Sequence, residues 1–183
     1  MSLLSFALWI QSTTFFTELR LSSYVYPIVL TGHIVGIAVF GGAVLVTDLR
    51  LLGWAMQKYP IAAIAGQLRP LKRAGFVLVA ICGLLMLGSK AEEYYFNVFF
   101  RWKLIFLALV AVHALVFRGS VYGRLEEIDQ APHIPARAKA AGWLSLALWI
   151  GLIIMGRAIG FVLPPDDLHA QTRSPDVTAV QAP

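Results

Sequence analysis

Charge is scarce in this sequence. Asp, Glu, Lys and Arg make up 14% of its 183 residues, whereas 58% are hydrophobic. A soluble domain of this length has too little interior to hide that much apolar surface, so a water-soluble globular fold is excluded. The few charges are also unevenly placed. Residues 24–47 hold no charge beyond what His33 can take up, 74–89 and 140–156 hold none, and 104–117 contain only His113 as a titratable group. Four charge-poor runs of this kind predict four membrane-spanning helices, and short connections between them predict an all-α, integral membrane, antiparallel four-helix bundle.

Cysteine is almost missing as well. Cys82 is the single one, so no intramolecular disulfide can form, and the residue says nothing about redox compartment. No phosphate-binding glycine loop, H-E-x-x-H or C-x-x-C pattern occurs. The isoelectric point near 9.6 does not point to nucleic acid, because the basic residues gather at the ends of the apolar runs. The expected surroundings are a lipid bilayer.

The third run has 14 residues between charges, about 21 Å of helix against a hydrocarbon core of about 30 Å. It must extend into its flanks, where Phe99, Phe100, Trp102 and Tyr122 suit the interface. The stretch 1–19 lacks the basic start and the small-residue cleavage pattern of a signal peptide. Leu3, Phe6 and Ile10 repeat at helical spacing with Trp9 as an anchor, so an interfacial amphipathic helix is expected there. The four-span bundle then occupies 20–163. Residues 164–183 are polar and proline-bearing without periodicity, and are expected to form a disordered tail.

Lys and Arg set the orientation. Segments 48–73 and 118–139 carry nine of them and the opposite side carries six, which places those two segments in the cytoplasm and both termini outside. The helical pattern of the first span continues through VTDLRLLGWAMQK until Pro60. A short amphipathic helix follows, and Pro70 is expected to open the second span.

Two histidines lie inside spans. His33 follows Ser23 by ten residues and His113 follows Lys103 by ten, so each is expected about 15 Å below the same boundary. Spans one and three of an up-down bundle are diagonal, and two imidazoles facing across it suit the iron of a b-type haem. Gly32, Gly36, Gly41 and Gly83 would leave room for a flat macrocycle. The alternative stays open: buried histidines also hydrogen-bond neighbouring helices or handle protons, and glycines four apart also allow close packing. His133 and His169 fall in a loop and the tail.

Arg157 lies seven residues before Pro164, about 10 Å below the surface. It either snorkels to the headgroups or faces inward to hold an anion such as Glu92, Glu93 or a haem propionate. Asp48 stands where the first span ends. It has two readings, a pairing with Lys72 or Arg73 that ties two helix ends together, and a role in proton access.

The blocks SSYVYPIVLTGHIVGIAVFGGAVLVTDLRLLG, RAGFVLVAICGLLML, FFRWKLIFLALVAVHALVF and GWLSLALWIGLIIMGRAIGF resemble an uncharacterised bacterial family of four-span inner-membrane proteins, a domain of unknown function. The likeness covers about residues 5–163. It implies a multi-pass bacterial inner-membrane protein and no known activity. Tyr26, Pro27, His33, Gly36, Asp48, Arg50, Gly53, Lys103, Trp149, Gly156 and Arg157 match its pattern. At His113 that pattern is expected to read asparagine, so the resemblance carries one histidine and not the pair. A looser likeness links the architecture to four-helix b-type cytochromes and copper-resistance membrane proteins.

Two functions are therefore expected to compete. One is an electron-transfer subunit holding haem b on His33 and His113, with Arg157 beside it and other membrane subunits or an electron-transfer protein as partners. The other is a cofactor-free scaffold or small transporter with a structural His/Arg network. Both place the polar site in the outer half of the bundle.

Overall fold

The computed structural model describes residues 2–161. The expected tail at 164–183, with His169, lies outside the described residues. Eight α-helices follow one another: α1 Leu3–Ser12, α2 Thr14–Leu21, α3 Val25–Leu52, α4 Ile61–Ser89, α5 Ala91–Phe96, α6 Val98–Phe117, α7 Leu125–Gln130 and α8 Ala136–Ala158. A π-helical turn, Arg118–Tyr122, extends α6, and a 3-10 turn, Ile159–Phe161, extends α8. Four of these, Val25–Leu52, Ile61–Ser89, Val98–Tyr122 and Ala136–Phe161, are long and apolar enough to cross a membrane. They run antiparallel. One end of the bundle carries the start of α3 and the finish of α8 (the terminal end), and the other carries the 53–60 and 118–135 connections (the loop end).

The helix ends follow local chemistry. Gly53 stops α3 at a φ of 77°, a left-handed conformation that glycine adopts without steric cost. The first span thus ends several residues earlier than its hydrophobic pattern suggests. Asn97 caps α6 by accepting from the backbone N–H groups of Phe99 and Phe100 at 3.0 and 3.1 Å, while its amide donates to the Ile159 carbonyl at 3.1 Å. One side chain therefore starts the third span and ties it to the end of the fourth.

α4 differs from expectation. Residues 61–89 form one helix with Pro70 inside it, not a short helix followed by a span. Proline at 70 removes the hydrogen bond to the Gly66 carbonyl. Both residues are exposed near the loop end, where that carbonyl has access to solvent or headgroups. The first N–H groups of α4, on Ile61 and Ala62, are taken up by Asp129 Oδ1 and Oδ2 of α7 at 2.7 and 2.8 Å. This carboxylate sits at the positive end of the helix dipole and supplies the cap that Pro60 lacks. Asp129→Ala is expected to cost about 1–2 kcal/mol, measured as a lower thermal midpoint in detergent, with Asp129→Asn recovering part of the loss.

The four spans pack in the order α4–α3–α8–α6, so α3 and α6 are diagonal. The α3–α4 seam is the closest. A Cβ at Gly36 would sit 2.8 Å from Val79 Cγ2 and 3.0 Å from the Val79 backbone nitrogen, and one at Gly75 would sit 2.8 Å from the Phe40 backbone nitrogen. Small residues there let two backbones approach, the usual basis of helix packing in lipid. The buried apolar cluster lies at the loop end: Leu51, Ile61, Val121, Leu125, Ile128, Ala138 and Ala141. Along the spans, large apolar residues such as Ile34, Phe76, Ile81, Leu104, Leu115 and Ile153 are exposed, as lipid-facing surfaces should be. At the terminal end, α1 and α2 pack on α4 and α5. Arg20 donates to the Ser89 carbonyl at 3.2 Å, and the Glu92 backbone N–H donates to Gln11 Oε1 at 2.9 Å, while Phe6 and Trp9 remain exposed.

Candidate functional site

The histidines do not meet. His33 lies eight residues after Val25, about 12 Å from the terminal end. Its Nδ1 pairs with the Val79 carbonyl of α4 at 3.1 Å. Gly83 of α4 makes room for the imidazole, since a Cβ there would lie 3.1 Å from His33 Cε1. His113 lies fifteen residues after Val98, about 22 Å from the same end. Its Nε2 pairs with the Ala141 carbonyl of α8 at 3.0 Å, five residues into that helix from the loop end. The expected matched depth fails because the third span begins at Val98, five residues before Lys103. The basic residue near His33 in depth is instead Lys103, whose charge acts on it and whose Nζ lies against Gly156.

These positions test the fit of a haem held by two imidazoles. The rings sit in different layers, each fixed to a different helix by a backbone carbonyl. The glycines expected to admit a macrocycle are spent otherwise: Gly36 on Val79, Gly83 on His33, and Gly32 on Cys82 Sγ, while Gly41 has open surroundings. The residues present do not fit that group. Arg157 is exposed, with its guanidinium over the Phe161 ring at 4.9 Å. Among the described residues it pairs with neither Glu92 nor Glu93, and Glu93 takes Lys90 at 3.0 Å. His133 is exposed in the loop before α8.

The convergence of polar groups lies at the other end of the bundle from the one expected. Among the described residues, the buried polar side chains are Thr47, Asp48, Ser89, Asn97, His113 and Ser145. Four of those six cluster near the loop end. Asp48, 1% exposed, accepts a 2.5 Å hydrogen bond on Oδ2 from Ser145 of α8. Gly142, one helical turn before Ser145, allows this approach: a Cβ there would lie 3.2 Å from the Asp48 carbonyl oxygen. Beside Asp48, Thr47 donates back to the Ala43 carbonyl at 3.0 Å and accepts from Lys72 Nζ of α4 at 2.7 Å.

Lys72 thus reaches the residue next to Asp48, within range of its charge, yet no Asp48–Lys72 ion pair within 4 Å forms among the described residues. The expected helix-end pairing becomes a contact through the neighbouring hydroxyl.

The third span adds Tyr122 from its last turn. Tyr122, in the π-helical turn at 118–122, packs against the buried apolar cluster at the loop end, and its ring stands 6.1 Å from that of His113. Such turns recur at functional sites because they re-aim a side chain that a regular helix would direct elsewhere. Tyr122 was expected at the lipid interface and is instead turned inward. Two signals were present in the sequence. Ser145 is the single hydroxyl in an uncharged span, and glycines at 119 and 123 bracket Tyr122.

Chemically, this is a carboxyl group removed from water, one hydroxyl at short hydrogen-bond distance and an ammonium held by the hydroxyl of the neighbouring residue. It can hold or pass a proton. Fold and site together define a multi-pass all-α membrane protein with an ionisable centre whose hydrogen bonds join three of the four spans. The chain belongs to a family of unknown function, DUF6644, whose match spans residues 19–162. No curated protein and no solved structure matches it.

Proposed function

We propose that this is a bacterial inner-membrane protein that takes up and releases a proton at Asp48, as a small proton-coupled transporter does. The loop end faces the cytoplasm, in keeping with its nine basic residues against six, and both termini lie outside. One observation carries the reading: Asp48 is buried inside a membrane span with Ser145 Oγ at 2.5 Å and, among the described residues, no ion pair within 4 Å. Ionisable side chains at such depth are costly and are retained where protons or ions move. A purely mechanical tie between helices needs hydroxyls or amides and no carboxyl group.

The test is infrared spectroscopy of the protein in lipid across a pH series. A carboxylic C=O band that disappears reversibly as pH rises, and that Asp48→Asn removes, is the expected result. An Asp48 that keeps one protonation state throughout contradicts the proposal. A haem absorption spectrum in protein from haem-sufficient cells, lost in His33→Ala and in His113→Ala, would restore the electron-transfer reading instead.

A further inference from the structure

We infer that Lys103 of α6 and Arg157 of α8 form a binding site for the phosphate of an anionic phospholipid at the terminal end of the bundle. The site lies at the opposite end from Asp48 and does not depend on proton exchange there. Gly156 sets its geometry. A Cβ at that position would lie 3.9 Å from both Cε and Nζ of Lys103. The lysine side chain thus crosses the α6–α8 seam where α8 has no side chain to block it, and its ammonium lies beside the residue that precedes Arg157. Asn97 holds the seam closed just above, through its hydrogen bond to the Ile159 carbonyl at 3.1 Å. Among the described residues neither cation has a carboxylate within 4 Å, and α6 and α8 contain no Asp or Glu. The acidic residues Glu92 and Glu93 of this end lie on α5, and Glu93 takes Lys90 at 3.0 Å. The pair is left to recruit an anion from its surroundings.

The depth selects a lipid. The third span, Val98–Tyr122, has 25 residues, about 37 Å of helix against a hydrocarbon core of about 30 Å. Lys103 follows Val98 by five residues and Arg157 precedes Phe161 by four, so both lie about 6–8 Å inside the helix ends, where headgroups meet acyl chains. The Arg157 guanidinium stands over the Phe161 ring at 4.9 Å, turned back toward that layer. Ile153 and Ile150, one and two turns deeper on the same face of α8, are exposed. They give an acyl chain an apolar track below the charges. Trp102, exposed next to Lys103, suits the same layer. A phosphate shared by an ammonium and a guanidinium gains charge-assisted hydrogen bonds. A zwitterionic lipid brings its own cation to compete for that phosphate, and a free phosphate ion makes no use of the track.

The experiment compares binding of phosphatidylglycerol and phosphatidylcholine to the full chain in neutral detergent, by native mass spectrometry. Each cation beside an anionic headgroup contributes about a factor of five. The unaltered protein should therefore bind phosphatidylglycerol at least about tenfold more tightly than phosphatidylcholine. Arg157→Gln should cut that preference about fivefold, and Lys103→Gln combined with Arg157→Gln should remove it. Lys58→Gln, at an exposed position in the 53–60 connection, should leave it unchanged. Equal affinity for the two lipids in the unaltered protein, or a preference that survives the double substitution, overturns the site. Should the double variant not fold, Arg157→Gln decides alone, because its side chain is exposed, and an unchanged preference there overturns the site equally. Displacement of phosphatidylglycerol by millimolar inorganic phosphate at constant ionic strength would show a site for a free anion and overturn the lipid assignment.

Discussion

Gly75→Val should separate the first two spans and lower stability by about 3 kcal/mol or more, at the upper end of what overpacking costs. The reason is where the new atoms would go. A Cβ at position 75 would meet the Phe40 backbone nitrogen at 2.8 Å and the Phe40 Cα at 3.1 Å. Backbone atoms cannot rotate away as a side-chain tip can, so α3 itself must move. The same seam holds Gly36 against Val79 and the His33–Val79 hydrogen bond, so displacement at one point loosens all three contacts. Gly41→Val is the control. It lies on α3, the other helix of the pair, and a Cβ there meets nothing within 4 Å, so no clash arises and valine, a better helix former than glycine, should leave stability near that of the parent. Thermal unfolding in one detergent should separate the two variants clearly. Equal midpoints would show that the spans are not held at this distance.

The second large effect is a divergence between two substitutions at Asp48. Asparagine keeps an oxygen for the Ser145 hydroxyl and a similar shape, and its melting should stay within about 1 kcal/mol of the parent. Alanine leaves Ser145 without its acceptor and Lys72 without the nearby carboxyl group, in a layer where water does not replace them. Removing one member of a buried charged cluster costs about 3 kcal/mol or more, so Asp48→Ala should be severely destabilised. The split separates stability from function, because the asparagine variant folds and still has no group that can take up a proton. Comparable melting of the two variants would show that the Ser145–Asp48 contact contributes little to the fold.

The spans were legible in the sequence because lipid imposes a long uncharged run on each. The diagonal placement of the first and third followed from short connections. What the runs cannot show is where a helix passes beyond the apolar region. The third span starts at Val98 and not near Lys103, and that offset alone removes the apparent partnership of His33 and His113. The continuous α4 was hidden by Pro70, which reads as a helix start yet sits inside a helix where the unpaired Gly66 carbonyl is exposed. Gly53 carried a stop signal that the continuing hydrophobic pattern masked.

The site was legible only in part. Asp48 stood out as a carboxylate at the end of an apolar run, and Lys72 as a neighbour on the next span. Ser145 and Tyr122 were not found, because a serine in a membrane helix is common and a tyrosine at a span end usually marks the interface. Ser145 meets Asp48 because Gly142 lets α8 approach α3, and Tyr122 turns inward on a π-helical turn. Both are properties of packing and of backbone hydrogen bonding, which a lone hydroxyl in an uncharged span and two flanking glycines mark without specifying.

The most direct test of the central claim is proton movement across a membrane. Purified protein in liposomes would be given a potassium diffusion potential, with internal pH followed by a trapped dye. The account predicts proton flux above that of protein-free liposomes in the unaltered protein, and a return to the protein-free rate in Asp48→Asn at equal incorporation. Flux in Asp48→Asn equal to that of the unaltered protein, or no flux above protein-free liposomes in either, would contradict it.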